Sequence, residues 1–234
     1  MNKTEYSNFY YYIDKFTQND FTKYIKKYVR NKNINVFDIG CYKGTFSEKI
    51  KTFFKNKKIN FYLFDPNPNL KSKKFKINKI GISNRNGEEL FLLNEYLPHS
   101  GSSLDSIVKK DALWNFSRNF LFLKKSNYKK IKIKVQKLDL FCKKNRIKKI
   151  DILKIDTEGH EMKVLQGSTD ILRKTNVILI EILDTKKNYL KKFKKINKML
   201  IDLDFKLVIS KDIKSVSILS RIKAADHLFV KKTK

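Results

Sequence analysis

Residues 36–47, VFDIGCYKGTFS, decide how the chain folds. An apolar run closes on Asp38, Gly40 and Gly44 follow, and an amphipathic stretch opens at Thr45. A buried strand therefore passes through a glycine turn into a helix. Gly40 lets the backbone approach a ligand closely, and the helix start presents N–H groups that have no intrahelical partner. An ordinary strand-to-helix turn favours glycine too, so this stretch alone leaves both readings open.

Outward from it, the same rhythm repeats. INVFDIG, NFYLFD, IDILKID and NVILIEI read as buried strands. Thr45 to Phe54, Glu158 to Leu172 and Lys186 to Leu203 read as helices, the second carrying Met162, Leu165 and Leu172 on one face. The β-α-β alternation predicts a parallel sheet, and 234 residues at 41% hydrophobic suit one α/β domain. In residues 1–33, Phe16, Phe21, Tyr24, Ile25 and Tyr28 recur at nearly helical spacing and predict a helical lid ahead of a domain over 34–234. Two segments break the rhythm. In GISNRNGEELFLLNE the Asn86-Gly87 pair predicts a β-hairpin, and His99 to Lys130, with the single tryptophan Trp114, is a long loop of the kind that shapes an acceptor pocket. FKLVIS and DHLFVKK predict two antiparallel strands at one edge.

Composition narrows the classes. No run approaches the roughly 20 apolar residues of a membrane span, and MNKTEYSNFYYYIDKF lacks a basic region followed by an apolar one, so a soluble, unprocessed, cytoplasmic protein is expected. Cys41 and Cys142 make no disulfide framework and have no zinc-type spacing. The net charge of +30 suggests a phosphate partner, yet of 53 basic residues only Arg30, Arg85, Arg118, Arg146, Arg173 and Arg221 are arginine. Arginine's planar fork is the better reader of phosphates and bases. The joint excess of Lys, Asn, Ile and Phe is what an AT-rich genome produces, so no specific nucleic-acid partner is expected. The same charge also suits peripheral contact with an anionic membrane or a phosphate-bearing acceptor.

Two more strand ends carry chemistry. NFYLFD ends in Asp65 about twenty residues after the glycine turn, where a carboxylate accepts both ribose hydroxyls of an adenosine; Pro66-Asn67-Pro68 then fixes the turn, and a simple cap is the alternative. LKIDTEGHEMKVLQG brings Asp156, Glu158, His160 and Glu161 to the edge where open α/β sheets hold ligands, although helix capping and dipole complementation account for them as well.

The segments DIGCYKG, FDPNP, GIS followed by NGE, SGSSL and KLDLFCKKNRIKKIDILKIDTEGHEMKVLQG together resemble the FkbM family of methyltransferases, over roughly residues 34 to 232. The resemblance implies a Rossmann-like class I methyltransferase fold: a mostly parallel central sheet with an antiparallel edge strand and helices on both faces. It also implies methyl transfer from S-adenosyl-L-methionine to a hydroxyl, usually on a sugar, glycan or polyketide. On that resemblance Asp38, Gly40 and Gly44, with Cys41 and Tyr42 in the same loop, hold the methionine part of the cofactor. Asp65 and Pro66 hold the ribose, Ile82 and Ser83 lie on the adenine side, and Asp156 faces the methyl group. The chain departs from the family at Tyr42, where asparagine is usual, and at Asp65, where glutamate is usual. Asp156 is the first candidate for a general base, with Glu158, His160 and His99 beside it. Carboxylates Asp156, Glu158, Glu181 and Asp184 at neighbouring strand ends are of the type that binds magnesium, but no metal is assigned. The competing functions are an RNA methyltransferase that uses its basic surface, and a non-catalytic Rossmann-like binding module, to which only Tyr42 points.

Overall fold

The computed structural model describes residues 20–94, 102–105, 128–213 and 221–232. The mostly apolar runs become inner strands of the sheet. These are β1 (Asn33–Ile39), β2 (Lys58–Phe64), β7 (Ile150–Ile155) and β8 (Thr175–Thr185). With β3 (Ile77–Asn78), β9 (Phe205–Asp212) and β10 (Ile222–Lys231) they form one sheet in the order β3-β2-β1-β7-β8-β10-β9. β1 runs parallel to β2 and β7, and β7 parallel to β8. β10 is antiparallel to both β8 and β9, so the reversed strand lies one place inside the edge strand β9. The chain leaves β1 toward β2 on one side and comes back to β7 on the other, which makes the gap between their carboxyl ends the topological switch point, the usual ligand crevice of such sheets.

Period-two alternation sorts the strand residues between two layers. On one face Val36, Ile152, Val177, Leu179 and Leu228 pack with α1 (Thr22–Lys26) and α2 (Thr45–Phe53) through Ile25, Phe46 and Ile50. On the other, Phe37, Ile39, Leu153, Ile155, Ile178 and Ile180 meet α3 (Leu138–Lys144), α4 (Glu161–Gln166), α5 (Thr169–Leu172) and α6 (Lys186–Asp202). Phe21, Ile25 and Val29, from the segment expected as a lid, are core residues of the first layer. Phe16 and the rest of residues 1–19 lie outside the described residues, as do His99 and Trp114.

Two expectations change. The helix expected over Glu158 to Leu172 is two short helices. It starts late because Glu158 and Gly159 take φ of 52° and 112°, and it breaks at Gly167, whose backbone is so close to β4 (Gly81–Ile82) and its turn that an added Cβ would stand 2.0 Å from Ser83 O. The expected hairpin is not one either. β4 and β5 (Gly87–Asn94) do not pair with each other; both pair with β6 (Tyr128–Gln136), which lies between them. The Asn86-Gly87 turn wraps the end of β6 instead, with Ser83 N–H donating to Gln136 O (3.1 Å) and Lys137 N–H to the Asn86 side-chain oxygen (3.0 Å).

Candidate active site

The site starts where β1 and β7 end side by side. Asp156 N–H donates to Ile39 O at 2.9 Å, which locks the two exits together. Gly40 has φ of 77°, and a Cβ there would lie 1.7 Å from Asp156 O, so no other residue fits this close approach. The N–H groups of Gly40 and Cys41 both donate to Phe64 O (2.9 and 3.1 Å), folding the turn over the end of β2. Tyr42 takes a left-handed φ of 47°, uncommon for a bulky residue, and its ring is buried. Its N–H donates to Asp65 Oδ2 at 3.1 Å.

Asp65 therefore serves the loop before it serves any ligand: Oδ1 accepts from Asn67 N–H at 2.9 Å while Oδ2 holds Tyr42. Each carboxylate oxygen keeps a further lone pair. Burial pushes the Asp65 carboxyl up to about 6, against the two N–H bonds and the charge of Lys79. Pro66 follows, partly exposed, and Lys79 pins the turn through the carbonyls of Asn67 and Leu70.

Asp38 is fully buried at the end of β1. Its Oδ2 accepts from Ser47 Oγ at 2.8 Å, but its Oδ1 has no hydrogen-bond partner among the described residues. Burial raises this carboxyl, and Lys154 opposes the rise. Lys154 is the register partner of Asp38 on β7, lies 5.7 Å from the Phe46 ring centre, and places its Nζ 2.7 Å from Asp156 Oδ2. Asp226 on β10 pairs in register with Glu181 on β8. Burial together with the charges of Asp156, Asp226 and Glu158 drives Glu181 well above the carboxylate range, again against Lys154. A buried lysine thus sits against a carboxyl row, Asp156, Glu181 and Asp226, and level with Asp38. Sequence reasoning missed Lys154, although a cation inside an otherwise apolar strand core is itself a signal, since a buried ammonium requires partners.

The loop after β7 is held from two sides. Ser103, which belongs to SGSSL and pairs its backbone with Leu92, aims its hydroxyl at the carbonyls of Glu158 (2.8 Å) and Thr157 (3.1 Å). On α6, Lys192 donates to Gly159 O (2.7 Å) and Leu183 O (2.9 Å) and pairs with buried Glu161 (2.6 Å), which itself accepts from Gly159 N–H. His160 is bonded to the turn after β4. Its ring is buried, its Nε2 is 3.0 Å from Ser83 Oγ, and Ser83 in turn donates to Glu89 at 2.9 Å. That chain puts the ring proton on Nε2, and burial holds the imidazole down at about 4. Ile82 is buried beside it. Asp156, Glu158 and the Asp38 turn are therefore brought together, while Ser83 and His160 form a separate buried pair. Among the described residues no three His, Cys, Asp or Glu side chains lie in an arrangement that holds a metal, the set Asp156, Glu158, Glu181 and Asp184 included.

Residues 38–207 match the Methyltransferase FkbM domain. Among solved structures, the chain is similar to a methyltransferase FkbM from Methylobacillus flagellatus KT, with 10% identity and a TM-score of 0.50 over 91% of this chain and 48% of that one. It therefore spans about half the length of that protein. A precorrin-6y C5,15-methyltransferase from Geobacter metallireducens GS-15 aligns at 11% identity and a TM-score of 0.40 over 91% of this chain and 87% of that one. No curated protein matches. At 10% identity the likeness to the Methylobacillus structure is one of fold.

Proposed function

We propose, from the premise that the chain belongs to the FkbM methyltransferase family, that it carries a methyl group from S-adenosylmethionine to a hydroxyl of a sugar, glycan or similar small acceptor. The observation that carries the cofactor assignment is the Asp38 carboxyl: fully buried at the switch point, with an oxygen lacking any hydrogen-bond partner among the described residues. Burying an acceptor without a donor is costly, and an ammonium-bearing ligand removes that cost. Asp65, one strand over, keeps lone pairs for two ribose hydroxyls, and the backbone around Gly40, Cys41, Tyr42 and Gly44 closes over the methionine end. Pro66 and Ile82 flank the adenosine. Ser83 acts through its bonds to Glu89 and His160, fixing Ile82 in place, and so does not contact the base.

The bound sulfonium supplies an electrophilic methyl carbon, so alignment does most of the work and a base adds roughly 10²- to 10⁴-fold. Asp156 suits the role of base: its carboxylate is about one-fifth exposed and is oriented by Lys154. Glu158, next to it on the clamped loop, lies on the acceptor side. His160, held neutral and buried, is assigned to fixing α4. The test is incubation with methyl-labelled S-adenosylmethionine and a panel of sugars, glycans and RNA. Label is expected in the hydroxylated small acceptors. Label in RNA alone overturns the acceptor assignment, and cofactor binding without transfer to any acceptor favours a binding module.

A further inference from the structure

We propose that the outer face of α6 docks the protein on an anionic lipid bilayer. At about 100° per residue, the side of this helix opposite buried Tyr189, Ile196 and Leu200 carries Lys187, Lys191, Lys194, Lys195 and Lys198, all exposed. The one acid on that side is Asp202, paired with Lys198 at 2.8 Å. Along one flank of the same face stand Leu190 and Ile201, 57% and 45% exposed, two of the four exposed large hydrophobics among the described residues. Eleven positions separate them, about 16 Å of helix.

Charge complementarity selects the occupant. A row of lysines flanked by protruding aliphatic side chains is the pattern of a helix lying in a membrane interface, the cations at the headgroups and the aliphatics in the acyl boundary. A single-stranded nucleic acid asks for exposed stacking rings and favours arginine, and this face has neither. The second lysine row, Lys130, Lys132 and Lys134 on β6 around exposed Leu90, is shorter and has Glu88 opposite Lys134. Position adds to the argument. α6 is capped by Thr185, where β8 ends at the ligand-bearing edge, and from its inner flank Lys192 holds Gly159 and Glu161. Docking this helix therefore presents the acceptor end of the site at a fixed distance from the bilayer.

The test uses the full chain in vesicle sedimentation, with phosphatidylcholine alone and with phosphatidylcholine containing about one-third phosphatidylserine. Binding is expected only to the anionic vesicles and should weaken as salt shortens the roughly 8 Å screening length. Each lysine is expected to contribute about fivefold to partitioning, so changing Lys187, Lys191, Lys194, Lys195 and Lys198 together to Gln lowers it by the order of 10³-fold. Leu190→Ser with Ile201→Ser is expected to weaken it while leaving the salt slope intact. A matched Lys130→Gln, Lys132→Gln, Lys134→Gln variant is the control, and all these exposed substitutions are checked for unchanged melting and cofactor affinity. Loss of binding in the β6 variant but not in the α6 variant overturns the proposal, as does tight RNA binding without vesicle binding.

Discussion

Lys154→Met keeps most of the side-chain length and removes the ammonium that lies 2.7 Å from Asp156 Oδ2. The lysine side chain is 8% exposed and that of Asp156 21%, so the pair sits mostly out of water. Breaking a buried pair by deleting one partner costs about 3–5 kcal/mol, chiefly through the charge left behind. The partial exposure of Asp156 pulls toward the lower end, and the neighbouring carboxyls of Asp38 and Glu181 keep the figure from falling further, giving about 3 kcal/mol. For a chain of this size that is roughly 6–12 °C in Tm. Urea and thermal unfolding at pH 7.5 and pH 5 read it directly. The pH dependence has a definite sign. Asp38 and Glu181 have raised pKa values in the folded state, so the folded state takes up protons before the unfolded one, and the variant's deficit shrinks as pH falls through those folded values. Adding Asp156→Asn to Lys154→Met removes the uncompensated carboxylate and should restore about 2 kcal/mol. A Lys154→Met protein within about 0.5 kcal/mol of wild type, or single effects that merely add, refutes this account of the carboxyl row.

Gly40→Ala should destabilise by at least about 3 kcal/mol and abolish cofactor binding, because the new Cβ meets Asp156 O and the dihedral alone costs about 1–2 kcal/mol. Gly87→Ala, at φ of 127° with nothing within 4 Å, is the control that should show the dihedral cost only. Asp65→Ala should weaken S-adenosylmethionine by about 1.5–3 kcal/mol in calorimetry. Wild-type affinity should also fall as pH drops below about 6, where the carboxyl protonates and loses acceptor capacity; equal affinity at pH 5 and 7.5 opposes the ribose role. Ser83→Ala strands the buried His160 Nε2–H and should cost about 1–3 kcal/mol of stability with cofactor affinity unchanged, whereas a large affinity loss assigns Ser83 to direct contact.

Strands β1, β2, β7 and β8 were readable because burial writes a mostly apolar run, complete in burial along β7 and confined in β2 to its carboxyl end, and α2 and α6 because one-sided burial writes a helical period. Other elements were hidden for physical reasons. In β6, Lys130-Ile131-Lys132-Ile133-Lys134-Val135 alternates cleanly, but in so lysine-rich a chain that alternation is lost in the background. Asn86-Gly87 signals a turn truthfully, yet a turn does not say which strand its flanks will pair with, and the partner of both is some forty residues downstream. The split of α4 from α5 depends on Gly167 meeting Ser83, a contact no local pattern encodes. In the site, Asp38, Gly40, Asp65 and Asp156 stood out because each closes a strand. Glu181 and Asp226 face each other only through the register of β8 and β10, Lys154 meets Asp38 only through that of β1 and β7, and Ser103 reaches the loop after β7 only through tertiary folding.

Turnover of Asp156→Asn with labelled S-adenosylmethionine and an identified acceptor, measured beside cofactor affinity and melting temperature, tests the central claim most directly. Asparagine preserves the shape, caps a helix about as well and still offers Lys154 an oxygen, so a structural role predicts almost no change. If Asp156 takes the acceptor proton, turnover falls by about 10²-fold or more while affinity and melting temperature hold. An Asp156→Asn protein that turns over at the wild-type rate contradicts the account.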